Sequence, residues 1–134
     1  MKDIINSRIK HREHFRPFAP VVTKDMEFEI FDLRQSSPYM LLAPTVKEAY
    51  RKKLPSITHI DYTARVQSVS AEDEPFIYLL LNKFAQKSGV PVLINTSFNV
   101  NGQPIVEKPI DAIKTFINND MDALVIGNFW VTKS

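Results

Sequence analysis

Hydrophobic and polar positions change period several times along this chain, and the changes mark out its predicted elements. Over residues 2–12, Ile4, Ile5 and Ile9 are spaced for one helical face among polar neighbours, which predicts a short helix ending before Pro17. Residues 18–22 read as a strand, with Pro20 placing it at an edge or a strand start, where a missing N–H is tolerated. Residues 24–31 read as a helix turn or a short amphipathic stretch and 38–43 as a second strand, separated by the polar run 34–37. Residues 44–58, with several lysines and Pro55, read as a surface connection with little to bury.

The second half is more regular. Residues 59–68 alternate, with Ile60, Tyr62, Ala64, Val66 and Ser68 on one side and Asp61, Thr63, Arg65, Gln67 and Val69 on the other, which predicts a strand with one chemical face. Pro75 follows three acidic residues and is suited to the first position of a helix. Ile77, Leu80, Leu81, Phe84 and Ala85 then continue at helical spacing to Gly89, suited to the C-terminal cap. The apolar run 90–94 predicts a strand buried on both faces, Asn101-Gly102 a turn, and 108–117 a helix with Pro109 near its start. Residues 123–126 and 129–131 predict two strands about the turn Gly127-Asn128. The alternation of helix and strand predicts an α/β or α+β sheet domain.

Length and composition narrow this picture. A chain of 134 residues, 44% hydrophobic and 24% charged, is expected to form one ordered domain over 1–134. Seventeen basic and fifteen acidic side chains leave a net charge of +2, too small for wholesale binding to nucleic acid or membrane, so any anion site must be local. The absence of cysteine excludes disulfides, thiolate catalysis and thiolate metal sites. With no apolar run of signal-peptide or membrane-span length, a cytoplasmic location is expected. The first basic motif starts almost at Met1, early for a domain, so the chain is expected to be a piece of something larger.

Three stretches can carry chemistry. Lys10, Arg12 and Arg16, with Lys2, Arg8, His11 and His14 nearby, supply cations that can grip phosphate oxygens through charge-assisted bonds. The plain alternative is a solvated helix face with Glu13 as a partner. On the predicted strand after His59, the spacing by two lets Asp61, Arg65 and Gln67 orient one another and a polar ligand, or else form an exposed ion pair of about 0–1 kcal/mol. Asn95, Ser97 and Asn99 directly follow an apolar strand, the position at which α/β sheets bind ligands; otherwise they satisfy a connecting turn. A nucleophilic role for Ser97 is weak, because no glycine-flanked elbow surrounds it. With only three histidines, two of them together at the N-terminus, no metal site is expected.

Taken together, these stretches resemble the C-terminal domain of the O-carbamoyltransferases, a family of nodulation-factor and antibiotic-tailoring enzymes. IKHREHFRPFAP, SPYM, HIDYTARVQ, GVPVLINTSFN, the helix start at Pro109-Ile-Asp-Ala112 and MDALVIGN fall in the family's order and cover nearly the whole chain. The resemblance implies a YrdC-like twisted mixed sheet flanked by helices, which uses ATP, as its Mg2+ complex, and carbamoyl phosphate to form a carbamoyl adenylate. It also implies a separate N-terminal Kae1-like carbamoyltransferase domain, in cis or in trans, that moves the carbamoyl group to a hydroxyl acceptor. It places Lys10, Arg16, Arg65 and Ser97 at the positions that bind carbamoyl phosphate and the ATP phosphates, and makes Arg12, His59, Asp61, Asn95 and Asn99 further substrate-binding candidates. The competing expectation is a non-catalytic nucleotide- or RNA-binding YrdC-type module. The small net charge and the scarcity of aromatic residues in the basic run, Phe15 and Phe18 apart, speak against it. A remnant domain kept for association with a partner is the third.

Overall fold

Backbone pairing between distant segments sets the frame of the middle of the chain. Strand β1 (Ala19–Thr23) lies between β2 (Gln67–Val69), to which it is parallel, and β3 (Val92–Asn95), to which it is antiparallel. The molecule is described from a computed structural model covering residues 1–133, and it divides into two compact units. One holds Met1–Arg16 with the chain from Ser97 onward; the other is Pro17–Thr96 and contains this sheet.

In the Pro17–Thr96 unit, helix α2 (Lys24–Ile30) packs on β1 and β2, and α4 (Pro75–Ser88) packs on β1 and β3. Val21, Val69 and Leu81 form a buried cluster on which Ile77, Tyr78 and Leu93 close. Helix α4 starts at Pro75, whose ring pre-sets the helical φ, and stops at Gly89, whose φ of 72° lets its N–H reach the Ala85 carbonyl at 2.8 Å. A short helix, α3 (Glu48–Arg51), interrupts the segment between the sheet strands.

In the other unit, α1 (Lys2–Ile4) runs into a π-helical stretch, Ile5–Lys10, ended by His11 in the left-handed region. Helix α5 (Pro109–Ile117) buries Ala112, Thr115 and Phe116 and packs on β4 (Ala123–Ile126), which pairs with β5 (Phe129–Thr132) about the Gly127 turn. Among the described residues no helix is long and apolar enough to cross a membrane.

The helices and the mixed and antiparallel sheets give the α/β class that the alternation predicts, with helices α4 and α5 and the terminal hairpin where the pattern puts them and α2 where it leaves a helix turn or a short amphipathic stretch open. Several predicted elements differ. The predicted strand over 38–43 is a turn and coil. The preceding Ser37 is held by the Val66 carbonyl and the Ser68 hydroxyl, Met40 adopts a φ of 57°, and Tyr39 and Leu41 face solvent. The predicted strand over 59–68 survives only from Gln67: Tyr62 at a φ of 65° reverses the chain, so Ile60 and Tyr62 are exposed while Ala64, Val66 and Ser68 remain buried. Residues 44–58 are more than a surface connection, since Val46, Leu54 and Ile57 belong to the core.

Three further differences follow from neighbours that periodicity does not register. Strand β1 is central, and Pro20 is accommodated because the parallel ladder with β2 begins only at Val21. Strand β3 has one neighbour, so only Val92 is fully buried and the expected two-sided burial fails. At the N-terminus the buried residues are Asn6 and Lys10, while Ile4 is exposed; the helix turns its polar side inward.

The burial pattern makes a direct prediction for α4. Leu81→Ala, at a fully buried position, lowers unfolding free energy by about 2–5 kcal/mol, whereas Leu79→Ala, at an exposed one, changes it by about 0.5 kcal/mol or less. Urea denaturation of the two variants checks this; equal losses would contradict the packing described.

Candidate functional site

The π-helical stretch brings Asn6 and Lys10 together on its buried side, and each anchors a different loop. Lys10 is 5% exposed, a position that costs an ammonium most of its hydration unless other groups replace it. Its Nζ donates to the Ser97 carbonyl at 2.5 Å, the Asn99 carbonyl at 2.9 Å and Asn99 Oδ1 at 3.1 Å, three acceptors for three protons. The Ser97 hydroxyl donates to the same Oδ1 at 2.6 Å, and Asn99 Nδ2 donates to the Gln103 carbonyl at 2.9 Å. The turn from Ser97 to Gln103 is thus closed around one cation.

Asn6, which is fully buried, holds the loop that follows the helix. Its Nδ2 donates to the Arg16 carbonyl at 2.8 Å and the His14 carbonyl at 3.2 Å, and its Oδ1 accepts from Arg12 Nε at 2.8 Å. Its backbone carbonyl accepts the N–H groups of His11 and Arg12. Arg16, by contrast, has an exposed side chain that makes no hydrogen bond or ion pair among the described residues.

Lys10, Arg12, Arg16, Ser97, Asn99 and the Asn101-Gly102 turn line a polar cavity of about 210 Å³. Burial and then the Arg12 charge hold the Lys10 ammonium below the usual lysine range. Burial, followed by the Arg16 charge, lowers the Arg12 guanidinium, against a smaller opposing pull from Glu13. Like charges crowded beside one small space create a local potential that an anion relieves. Guanidinium forks, a hydroxyl and amides are the donors suited to phosphoryl or carboxylate oxygens.

Five of the residues singled out from the sequence, Lys10, Arg12, Arg16, Ser97 and Asn99, therefore meet at one cavity. In the Pro17–Thr96 unit, Asp61, Arg65 and Gln67 do not share a strand face. Asp61 Oδ1 accepts from the Thr63 N–H at 3.0 Å and the Thr63 hydroxyl at 2.8 Å, closing a turn, and His59 Nδ1 lies 3.2 Å from the same hydroxyl. Arg51 stacks over the Tyr62 ring at 4.2 Å and steadies that turn. Gln67 instead receives a hydrogen bond from Asn95 Nδ2, which also lies 3.6 Å from Met40 Sδ. The Arg65 side chain is exposed and makes no hydrogen bond among the described residues.

The pattern left out Asn6, Asn101 and Gly102. The signal for Asn6 was its spacing of four from Lys10, a polar pair on one helical side that the isoleucine periodicity masked. Among the described residues no group of three or more histidine, aspartate or glutamate side chains gathers as a metal-ligand set.

The chain matches the family described as Carbamoyltransferase C-terminus over residues 1–133. It is 43% identical over 135 residues to nodulation protein NolNO of Sinorhizobium fredii, covering 98% of this chain and 20% of that protein. Nodulation protein NolO of Bradyrhizobium diazoefficiens is likewise 43% identical, with 98% and 25% covered. The 3'-hydroxymethylcephem-O-carbamoyltransferase of Amycolatopsis lactamdurans is 35% identical over 133 residues, with 99% and 25% covered. The chain belongs to the carbamoyltransferase C-terminal family, and it spans a quarter or less of the length of these three relatives.

The turn at Asp61 has a measurable consequence. The Thr63 N–H and then the Thr63 hydroxyl hold the Asp61 carboxyl below the usual aspartate range. A depressed carboxylate adds stability above its ordinary pKa that is lost as pH falls through the folded value. Thr63→Val removes the hydroxyl donor, so NMR titration is expected to find Asp61 moved upward towards an ordinary aspartate. An unmoved titration would mean that the hydroxyl plays no part.

Proposed function

We propose that residues 1–134 act as a single carbamoyltransferase C-terminal domain that binds carbamoyl phosphate and ATP and forms carbamoyl adenylate. An N-terminal Kae1-like domain, in the same longer polypeptide or a partner chain, then passes the carbamoyl group to a hydroxyl. The observation that carries this reading is the polar cavity, with the Arg16 guanidinium uncommitted beside a loop already closed around Lys10. Family membership supports the reaction class, and the relative named for O-carbamoylation of a hydroxymethylcephem supports a hydroxyl acceptor.

Size sharpens the assignment. At about 210 Å³ the cavity lies below the roughly 300 Å³ at which ordinary small-molecule pockets begin, so it suits a small phosphoryl anion or a phosphate tail better than a whole nucleotide. Arg12 and Arg16 neutralise the anion. Ser97 orients it once its hydroxyl turns from Asn99 Oδ1 to a ligand oxygen, and Asn99 completes the wall. Lys10 contributes its charge while its protons shape the turn. Arg65 is proposed as a further phosphate-binding cation, and His59, Asp61 and Asn95 as further substrate-binding residues, on the family resemblance. A Mg2+ ion carried on the ATP phosphates would supply further charge neutralisation there.

Activation takes two balanced steps: water displaces inorganic phosphate from carbamoyl phosphate to leave carbamate, and a carbamate oxygen then bonds to the α-phosphorus of ATP while the bond to the pyrophosphate leaving group breaks. Such a transfer depends on positioning and charge neutralisation more than on proton transfer, which suits a site rich in cations and poor in acid–base groups.

Calorimetric titration of the chain with carbamoyl phosphate and with Mg-ATP tests the proposal. Arg16→Ala is expected to weaken binding about 10- to 100-fold, the equivalent of about 1.5–3 kcal/mol for a charge-assisted bond, and Ser97→Ala about 2- to 10-fold. A folded wild-type chain that binds neither ligand would sink it.

A further inference from the structure

The cavity's arginines come from a loop with no regular structure of its own, so something must hold that loop in shape. We infer that Asn6 is a positioning residue for the anion site: its buried amide sets where Arg12 and Arg16 present their guanidinium groups. This rests on the reading of the cavity as a phosphoryl-anion site and extends it to a residue that lies outside the lining.

The amide is fully buried and bonded through both ends. The two Nδ2 protons go to the carbonyls of His14 and Arg16, which tie down the far end of the loop, and Oδ1 receives Arg12 Nε, which orients that guanidinium directly. The Asn6 backbone carbonyl takes the N–H groups of His11 and Arg12, so the residue grips the loop at its beginning as well. Of the ordinary side chains, only an uncharged amide supplies two donors and an acceptor here without adding a charge beside Arg12 and Lys10.

The surrounding backbone fits such a role. Asn6 lies in the π-helical stretch, and π-helical turns frequently occur at functional sites because the wider turn re-aims side chains. That turn places Asn6 and Lys10 on the same buried side, so one element holds both loops of the cavity: Asn6 the arginine loop, and Lys10 the turn from Ser97 to Gln103. Arg16 is the residue that shows the logic most clearly. Its carbonyl is pinned by Asn6 while its side chain makes no hydrogen bond or ion pair among the described residues, so the backbone is held and the guanidinium remains for a ligand.

The test is a double-mutant cycle read by calorimetry with carbamoyl phosphate and, separately, inorganic phosphate. Asn6→Ala is expected to weaken binding about tenfold in the wild-type background and by less than about threefold in an Arg16→Ala background, because the amide acts through the arginine loop. Leu81→Ala, which loosens the core of the Pro17–Thr96 unit, is expected to leave affinity unchanged. Equal losses in the two backgrounds, or unchanged affinity in a folded Asn6→Ala chain, would overturn the inference while leaving the anion site intact. Absence of binding by the wild-type chain would overturn the anion-site reading, and the inference with it. Should Asn6→Ala not fold, the wild-type chain provides the second measurement. The Arg12 Nε–H is expected to be protected from hydrogen exchange and to shift on adding phosphate; free exchange without a shift would overturn the proposed orientation.

Discussion

The unit that carries the cavity is organised around one buried ammonium. Lys10 reaches a turn that lies 87 residues further along the chain at Ser97, and its three protons end on two backbone carbonyls and an amide oxygen of that turn. Burial makes this costly, as the lowered proton affinity of the group records, and the full set of charge-assisted bonds offsets the cost. With the ammonium in place, Ser97, Asn99 and Gln103 have a fixed network to join. The Asn101-Gly102 turn then closes one wall of a polar cavity, with Gly102 at a φ of 77°. The charge serves as structure first, while the guanidinium of Arg16, which lines the same cavity, stays exposed.

The Pro17–Thr96 unit uses the same device with the opposite sign. Glu27 is fully buried on α2, and its carboxylate accepts from the Ser36 hydroxyl at 2.6 Å and the Ser37 N–H at 3.3 Å. Ser37 in turn bonds to Ser68 and to the Val66 carbonyl, tying the loop after α2 to the strand that β1 pairs with. Among the described residues no buried side-chain nitrogen or oxygen lacks a partner. Buried polar groups with complete hydrogen bonding define loop positions sharply, because any other loop position would strand a desolvated charge.

How far the chain is legible from its residues depends on which force shapes each segment. Helices α4 and α5 are plain in the sequence because Pro75, Gly89 and Pro109 act locally on backbone dihedrals, and their apolar spacing agrees. The terminal hairpin is plain for the same reason, through Gly127 at a φ of 55°. Residues 38–43 and 59–66 look like strands but form no continuous ladder, 59–66 meeting its neighbour in an isolated bridge between Thr63 and Thr45, and side-chain bonds from Ser37 and Asp61 bend them into turns. Five of the nine site residues singled out meet at the cavity because cationic and amide side chains announce themselves by type.

By itself, then, the sequence determined the family, the class of the fold, the boundaries of α4 and α5 and the cationic and amide character of the residues that line the cavity, since each follows from residue type and short-range spacing. Tertiary structure alone decided that β1 is central, that Lys10 spends its protons on the turn, and that Asn6 bonds to both ends of the arginine loop. The reason is physical. A side chain's hydrogen-bond partners and its degree of burial depend on atoms brought close from elsewhere in the chain, and no local pattern of polar and apolar residues carries that information.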